Sequence, residues 1–238
     1  MADVPGFRPL YQQVRDVFVQ RIADGHWPPG RSIPSEIALA GELGVSQGTV
    51  RKALDTLASD HILERRQGKG TYVAEVTAER SLFQFFRMAA PGGARKTPAH
   101  VESRLKRRPS QAEEIERLGL GVGDDVFDLR RVRSIDERPV IFERIIVSAA
   151  RFPGLDEKTL PNTLYALYQS DYGISVIAAS EELRAKAASP KVARALGLEE
   201  GAPVLHISRI ATDLDGVPVE WRRSHCDTRD LVYAVDIR

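Results

Sequence analysis

"SEIALAGELGVSQGTVRKALDTLASD", residues 35–60, holds two short helical patterns parted by Gly44 and Val45. Ser35 follows Pro34 and suits the N-cap of the first helix, with Glu36 in its first turn favouring the positive end of the dipole. That helix packs through Leu39, Ala40 and Leu43 and stops at Gly44. Ser46 caps the second helix, whose apolar stripe is Val50, Ala53, Leu54 and Leu57. A glycine-containing break of about three to four residues between two such helices is a helix-turn-helix pattern.

Upstream, Leu10, Val14, Val17, Phe18 and Ile22 recur as the stripe of an amphipathic helix, stopped by "DGHWPPG" at residues 24–30. Downstream, "HILERRQGKGTYV" places strand-like residues 62–66 and 71–73 on either side of a glycine-rich turn at 67–70. Arg65, Arg66 and Lys69 cluster on that hairpin, as a wing beside a recognition helix would, and each phosphate neutralised adds about 0.9 to the log–log salt slope. In such a motif the first turn of the second helix enters the major groove. Here that turn carries Gln47, Gly48, Thr49 and Arg51. Arg51 can grip guanine or phosphate, Gln47 can bond an adenine edge, and Gly48 lets the backbone approach; one bidentate contact discriminates by about 1–3 kcal/mol.

"PPGRSIPSEIALAGELGVSQGTVRKALDTLASDHILERRQGKGTYV" resembles the winged helix-turn-helix of GntR-family bacterial transcription regulators over residues 10–73. The resemblance implies DNA contacts at Ser35, Gln47, Thr49 and Arg51, and from the wing at Gln67 and Gly68, to which the basic hairpin adds Arg66 and Lys69. Most relatives have arginine where this chain has Gln47, and many have a polar or basic residue where it has Ile37, which shifts the expected operator sequence.

The 238 residues carry a formal net charge of +1, with 42% hydrophobic and 28% charged residues, an ordinary globular composition. Near-neutral charge means that nucleic-acid binding has to rest on local placement of bases. Cys226 is the only cysteine and the histidines are scattered, so no disulfide, metal site or cofactor is expected. The N-terminus has no signal-peptide core and no apolar run is long enough for a membrane span, so the chain reads as cytoplasmic. The domain reading is residues 1–76, a linker at 77–96, and residues 97–238. Within the linker, Phe83, Phe85, Phe86 and Met88 are too apolar for a free tether. They either pack on the second domain or line the mouth of a pocket in it.

From residue 100 the pattern alternates. Segments 100–105, 126–135, 139–148, 203–214, 217–225 and 231–237 read as half-buried strands, and 110–118, 162–170 and 190–196 as helices. The fold class is therefore α+β: a winged helix-turn-helix followed by an antiparallel sheet with helices. An internal echo runs through this half: "AEEIERLGLGVGDDVFDLRRVRSIDERPVIFERI" is matched by "KVARALGLEEGAPVLHISRIATDLDGVPVEWRRS", with Arg131 corresponding to Arg209. Two related halves suggest a cleft between them. Arg131 and Arg133 share one strand face, Glu143 sits on the next strand, and Glu220 and Arg222 take similar places in the second copy. These charges either cover a solvated face or form a polar pocket for an anionic or hydroxylated small molecule.

"RVRSIDERPVIFERIIV", "FPGL", "TLYALYQSDYGI", "EELRA" and "GVPVEW" resemble the UTRA domain of the HutC-type branch of the GntR family. That resemblance implies a chorismate-lyase-like fold, a homodimer, and a ligand in the cleft held by Arg131, Arg133, Glu143, Tyr165, Glu181 and Glu220. Where relatives often carry "SYY" and "RGD", this chain reads "SHCDTRD". The function expected is a DNA-binding transcription regulator, a repressor on a roughly palindromic duplex operator, controlled by a small-molecule effector. The alternative is an enzyme acting on a small anionic substrate, with Arg131 and Glu143 as clamp and acid/base. "GLGVGDD" follows a helix rather than a strand and is not a nucleotide loop. His225 and Cys226, as strand neighbours, point to opposite faces and make no nucleophile–base pair.

Overall fold

The computed structural model describes residues 8–75, 85–93 and 96–235. The chain divides into two compact units, Met1–Glu75 and Val76–Arg238. In the first, α1 (Leu10–Ala23), α2 (Glu36–Leu43) and α3 (Gln47–Ser59) precede a hairpin of β1 (Leu63–Arg66) and β2 (Gly70–Val73). Helices α1 and α2 pack on α3, which also rests on β1. The expected caps are present: Ser35 Oγ accepts from the Ala38 amide, Ser46 Oγ accepts from the Thr49 amide, and Gly44 closes α2 at φ +64°. This left-handed turn favours glycine because it has no Cβ to clash. All four residues of the α3 stripe are buried. Fully burying Leu54 and Leu57 contributes about 1.5–3 kcal/mol each.

Two details of packing differ from expectation. Helix α1 buries Val14, Phe18, Val19 and Ile22, whereas Leu10 and Val17 are exposed. At 100° per residue, Val19 lies beside Ile22, while Val17 rotates outward. In α2 only Leu39 is buried, and Ala40 and Leu43 are half-buried.

The second unit is a six-stranded antiparallel sheet in the order β4-β5-β6-β9-β8-β7. Its strands are β4 (Ala99–Pro109), β5 (Asp125–Ile135), β6 (Arg138–Ser148), β7 (Ala178–Ala187), β8 (Pro203–Thr212) and β9 (Pro218–Cys226). The helices are α4 (Ala112–Leu118), α5 (Leu164–Tyr172) and α6 (Pro190–Leu196), with a short 3-10 turn at Leu155–Glu157. A separate pair joins β3 (Met88–Ala89) to β10 (Val232–Tyr233); of the expected strand 231–237, these two residues are strand among the described positions 231–235, and 236–237 lie outside the described residues.

The echo in the sequence is architectural: β4-α4-β5-β6 and β7-α6-β8-β9 are each an edge strand, a helix and a hairpin. Helices α4 and α6 end on Gly119 and Gly197, at φ +64° and +63°. Each helix packs across the centre, α4 on β9 and α6 on β6, so neither half closes its core alone. On one face of the sheet, α4 covers Val126, Ile146 and Trp221, while α6 covers Val204 and Phe142. On the other, α5 lays Leu164, Tyr165 and Tyr168 over Phe127, Leu129, Ile145 and Val147.

Strand β7 was not anticipated. "AASEELRAKA" has helix-forming composition, and nearly all of it is exposed on a sheet edge, so no apolar alternation marks it. Part of the stretch read as linker, residues 77–84, 94 and 95, lies outside the described residues, Phe83 included. Phe85 and Met88 are buried in apolar clusters of the second unit, and Phe86 packs against one of them.

Candidate nucleic-acid interface and ligand cavity

The first turn of α3 is open. Gln47, Gly48 and Arg51 are exposed and Thr49 is half-buried, with its hydroxyl 2.9 Å from Ser46 Oγ. Glu36 organises this surface from α2: it accepts from Arg51 Nε at 2.9 Å, Gln47 Nε2 at 3.4 Å and Arg65 at 3.2 Å. Burial pushes the Glu36 carboxyl up, but the hydrogen bonds from Arg51 and Arg65 outweigh it and hold it below the usual range. Arg51 is thus held extended at the helix surface rather than left to sample every rotamer. A Cβ built on Gly48 would meet only Ser46 Oγ, at 3.8 Å. Nothing inside the protein requires glycine in this helical turn, although glycine there costs about 0.5–1 kcal/mol relative to alanine. On the wing, Arg66 lies over the Tyr72 ring at 4.2 Å and pairs with Glu64, while Gln67, Gly68 and Lys69 form the exposed tip. Ser35 is exposed and already serves as the α2 N-cap.

In the second unit, a partly open pocket lies between α5, the segment at Phe85–Met88 and the sheet. Arg131, Arg133, Glu143, Tyr165 and Arg222 line it. These ionic side chains are buried, not spread over a solvated face: Arg131, Arg133 and Glu143 are each 3% exposed. Register explains the grouping. Arg131 pairs with Glu143 across β5 and β6, and Arg222 pairs with Arg209 across β9 and β8, all on one face of the sheet.

Glu143 is the hub. It accepts from Arg131 Nε at 2.5 Å, with Arg222 at 3.4 Å and Arg133 at 3.9 Å. Burial raises its carboxyl, but the three arginine charges prevail and hold it far below the usual range. Glu220 does not line the cavity but lies behind it, fully buried. It accepts from both Tyr165 and Tyr168 hydroxyls at 3.0 Å and from Arg222 at 2.8 Å. Burial, then the Glu220 charge, pushes the Tyr165 phenol up to about 12, so it stays a donor at any working pH. Glu181 is likewise a supporting residue, paired with Arg209 at 2.5 Å and bonded by the Tyr233 hydroxyl.

Arg133 is different. Its Nη2 donates to Asn162 Oδ1 at 3.0 Å and to the Pro98 carbonyl at 3.4 Å, but its buried Nε has no hydrogen-bond partner. Its nearest carboxylate is already shared by two other arginines. Burial pulls its pKa down to about 9, with Glu143 opposing and the neighbouring arginines reinforcing the shift. Four arginines share the three carboxylates of Glu143, Glu181 and Glu220, and Arg133, 3.9 Å from the shared Glu143, is the least matched cation.

Three further lining residues, Asn162, Arg209 and Tyr233, are not marked as site residues by the sequence. Asn162, which orients both Arg131 and Arg133, carries no signal of its own. Arg209 was marked as the repeat counterpart of Arg131, and that was the available clue. Tyr233 is the second residue of the short strand β10, and Phe85, one of the aromatics expected either to pack on this unit or to line a pocket mouth, stacks edge-on against Tyr165 at 5.1 Å. Phe85, Phe86 and Met88 both pack on the second unit and line its cavity. Cys226 also lines it, but burial first and Glu143 next push its thiol well up. His225 points to the opposite face, against His206 at 4.8 Å. Among the described residues no cluster of three or more His, Cys, Asp or Glu could hold a metal, and no helix is long and apolar enough to cross a membrane.

The winged head and the charged cavity define a nucleic-acid-binding unit joined to a ligand-binding unit. Sequence comparison is in accord. Residues 10–73 match the pattern described as bacterial regulatory proteins, gntR family, and residues 96–230 match the UTRA domain. The histidine utilization repressor of Pseudomonas putida is 34% identical over 210 residues, 86% of this chain and 82% of that protein. MngR of Escherichia coli K12, the mannosyl-D-glycerate transport/metabolism system repressor, is 29% identical over 97% of this chain and 96% of its own. The crystal structure of PhnF from Mycobacterium smegmatis superposes with a TM-score of 0.56 at 27% identity, over 94% of this chain and 99% of that one. The chain belongs to the GntR family of bacterial regulatory proteins, in the branch that carries a UTRA domain. It is a DNA-binding transcription regulator with an effector domain, and the enzyme alternative is set aside.

Proposed function

We propose that the protein is a cytoplasmic repressor, active as a homodimer on a roughly palindromic operator, and released or retained there by a small anionic metabolite. The sign of regulation is carried over from relatives named as repressors. In this reading Gln47, Gly48, Thr49 and Arg51 meet the major groove, Ser35 meets the backbone, and Arg66, Gln67, Gly68 and Lys69 grip from the wing. Two copies would set their α3 helices in successive major grooves, about 34 Å apart. The head is taken as residues 1–76, the linker as 77–96 and the effector domain as 97–238.

The observation that carries the effector class is Arg133, a buried guanidinium without a carboxylate of its own. An anionic group on Arg133 and Arg131 would balance the charge, with Tyr165, Glu143 and Arg222 orienting the remainder. Glu181 and Glu220 then act by holding Arg209, Arg222 and the tyrosines in place. Selection of fragments bound from the source genome, followed by thermal-shift screening of anionic metabolites suggested by neighbouring genes, tests this. A ligand at 100 times its Kd adds about 2.7 kcal/mol of stability. Arg131→Ala should keep DNA binding and lose the effector response. An unchanged dose-response curve would remove Arg131 from the pocket.

A further inference from the structure

Ile37 is 72% exposed, the most open large apolar side chain among the described residues of the first unit. Its neighbour Leu39 is fully buried. Two steps along a helix turn through about 200°, so Ile37 points away from the core that Leu39 fills. A single exposed isoleucine is ordinary on a protein surface; its position is what matters. It lies in the first turn after the Ser35 cap. It directly follows Glu36, whose carboxylate bonds Gln47, Arg51 and Arg65. An apolar group is thus set into the edge of a polar surface that otherwise holds donors and acceptors. Bases and acids are nearly balanced over residues 8–75, so phosphate attraction alone is a weak source of affinity for this head.

The chemistry of the duplex offers one match. The only apolar group on the base edges of the major groove is the thymine C5-methyl. We propose that Ile37 packs on a thymine methyl of the operator and is a specificity-determining residue of this regulator. The inference rests on DNA binding by the winged head. It adds a thymine preference at one position in each half-site, next to the bases read by the start of α3. Losing contact with one methyl-sized group is worth about 0.8 kcal/mol, or roughly fourfold in affinity.

The test uses the full chain and a duplex recovered by selection from a random-sequence library. Each thymine is replaced in turn by deoxyuridine, which removes the methyl and leaves base pairing intact. Binding is read by fluorescence anisotropy for the wild type and for Ile37→Ala, whose thermal melt should match because the side chain is exposed. The expected result is one position per half-site where uracil weakens the wild type about fourfold and leaves Ile37→Ala unaffected. A uracil scan that is silent in the wild type overturns the proposal, even if Ile37→Ala binds more weakly, because the contact then lies on the sugar–phosphate backbone. Equal uracil losses in both proteins also overturn it. Failure to select any duplex would instead remove DNA binding itself, which a silent scan does not.

Discussion

Replacing Arg133 with methionine should stabilise the protein while destroying its response to effector. Methionine keeps most of the buried volume and removes the charge. The guanidinium is almost fully enclosed, and burial pulls its pKa from the ordinary arginine value down to about 9. At about 1.36 kcal/mol per unit, the charged form costs the folded state on the order of 5 kcal/mol. Against this stand the Nη2 bonds to Asn162 and Pro98 and the contact of the guanidinium with Phe86, 5.7 Å from its ring. Losing these costs about 1–3 kcal/mol. Glu143 keeps Arg131 and Arg222, and Asn162 Nδ2 keeps its 2.8 Å bond to the Pro98 carbonyl, so among these partners only Asn162 Oδ1 loses its donor. The net gain is then about 2–4 kcal/mol, read as a higher urea midpoint at pH 7 with unchanged slope. The pH dependence has a definite sign. Between about 9 and the ordinary arginine value the unfolded chain binds a proton that folded Arg133 does not, so wild-type stability rises with pH there. The advantage of Arg133→Met is therefore full below about pH 9 and shrinks above it. A methionine variant less stable than wild type by more than about 1 kcal/mol would show that Arg133 is a matched partner, and the anion reading would lose its support.

Other perturbations separate the surfaces. Arg51→Ala should abolish operator binding in a gel shift while leaving the melting temperature within a degree or so, because an exposed side chain contributes little to stability. Gly48→Ala should raise the stability of the head by about 0.5–1 kcal/mol, since a Cβ finds room there, yet weaken operator binding. Glu114→Gln should cost about 1–3 kcal/mol at pH 7, as its buried carboxylate accepts from Arg108 and the Gln111 amide. Burial raises that carboxyl, but Arg108 and Gln111 prevail and lower it. Its stabilisation is thus present above the unfolded carboxylate range and lost as pH falls through the lower folded value. The deficit of Glu114→Gln should therefore shrink in urea melts as pH falls below the ordinary carboxylate range.

The head was legible because its signals are local. Ser35, Gly44 and Ser46 are caps whose geometry is set by neighbouring atoms, and the α3 stripe is decided by one helix repeat. Helix α1 was read less well, since it carries more apolar residues than it buries, and only the packed structure selects Val19 over Val17. In the second unit the hairpins were legible from alternation, and the duplicated helix and hairpin from self-similarity. The edge strands β4 and β7 complete each repeat. Both are exposed along most of their length, so alternation fades there and β7 imitates a helix. The cavity was half visible. Arg131, Arg133, Glu143, Tyr165 and Arg222 line it, whereas Glu181 and Glu220 stand behind and act through the groups they hold. Asn162 and Phe85 meet the charged strands only through contacts between distant parts of the chain, which no spacing in sequence encodes.

The duplication also explains why the charge balance is uneven. A symmetric pair of halves would repeat the same ion pairs, but the two copies differ on the face they share. At the place where the first copy has Glu143, the aligned second copy has Arg222, and the two meet across β6 and β9 at 3.4 Å. Glu220 and Glu181 neutralise the second copy's arginines. The first copy has two arginines, Arg131 and Arg133, drawing on the single carboxylate of Glu143, which Arg222 also uses. The excess positive charge therefore falls on one side of the cavity. On the anionic-effector reading, a ligand that neutralised it would relieve a cost of order 5 kcal/mol built into the unliganded domain. Coupling between effector and operator typically amounts to about 1–3 kcal/mol. The relief is large enough to supply that and still leave net affinity for the ligand. By reciprocity, operator DNA must change effector affinity by the same factor, so a ligand titration with and without the selected duplex measures the coupling directly. Arg133→Met should reduce that difference to nothing while leaving DNA affinity alone.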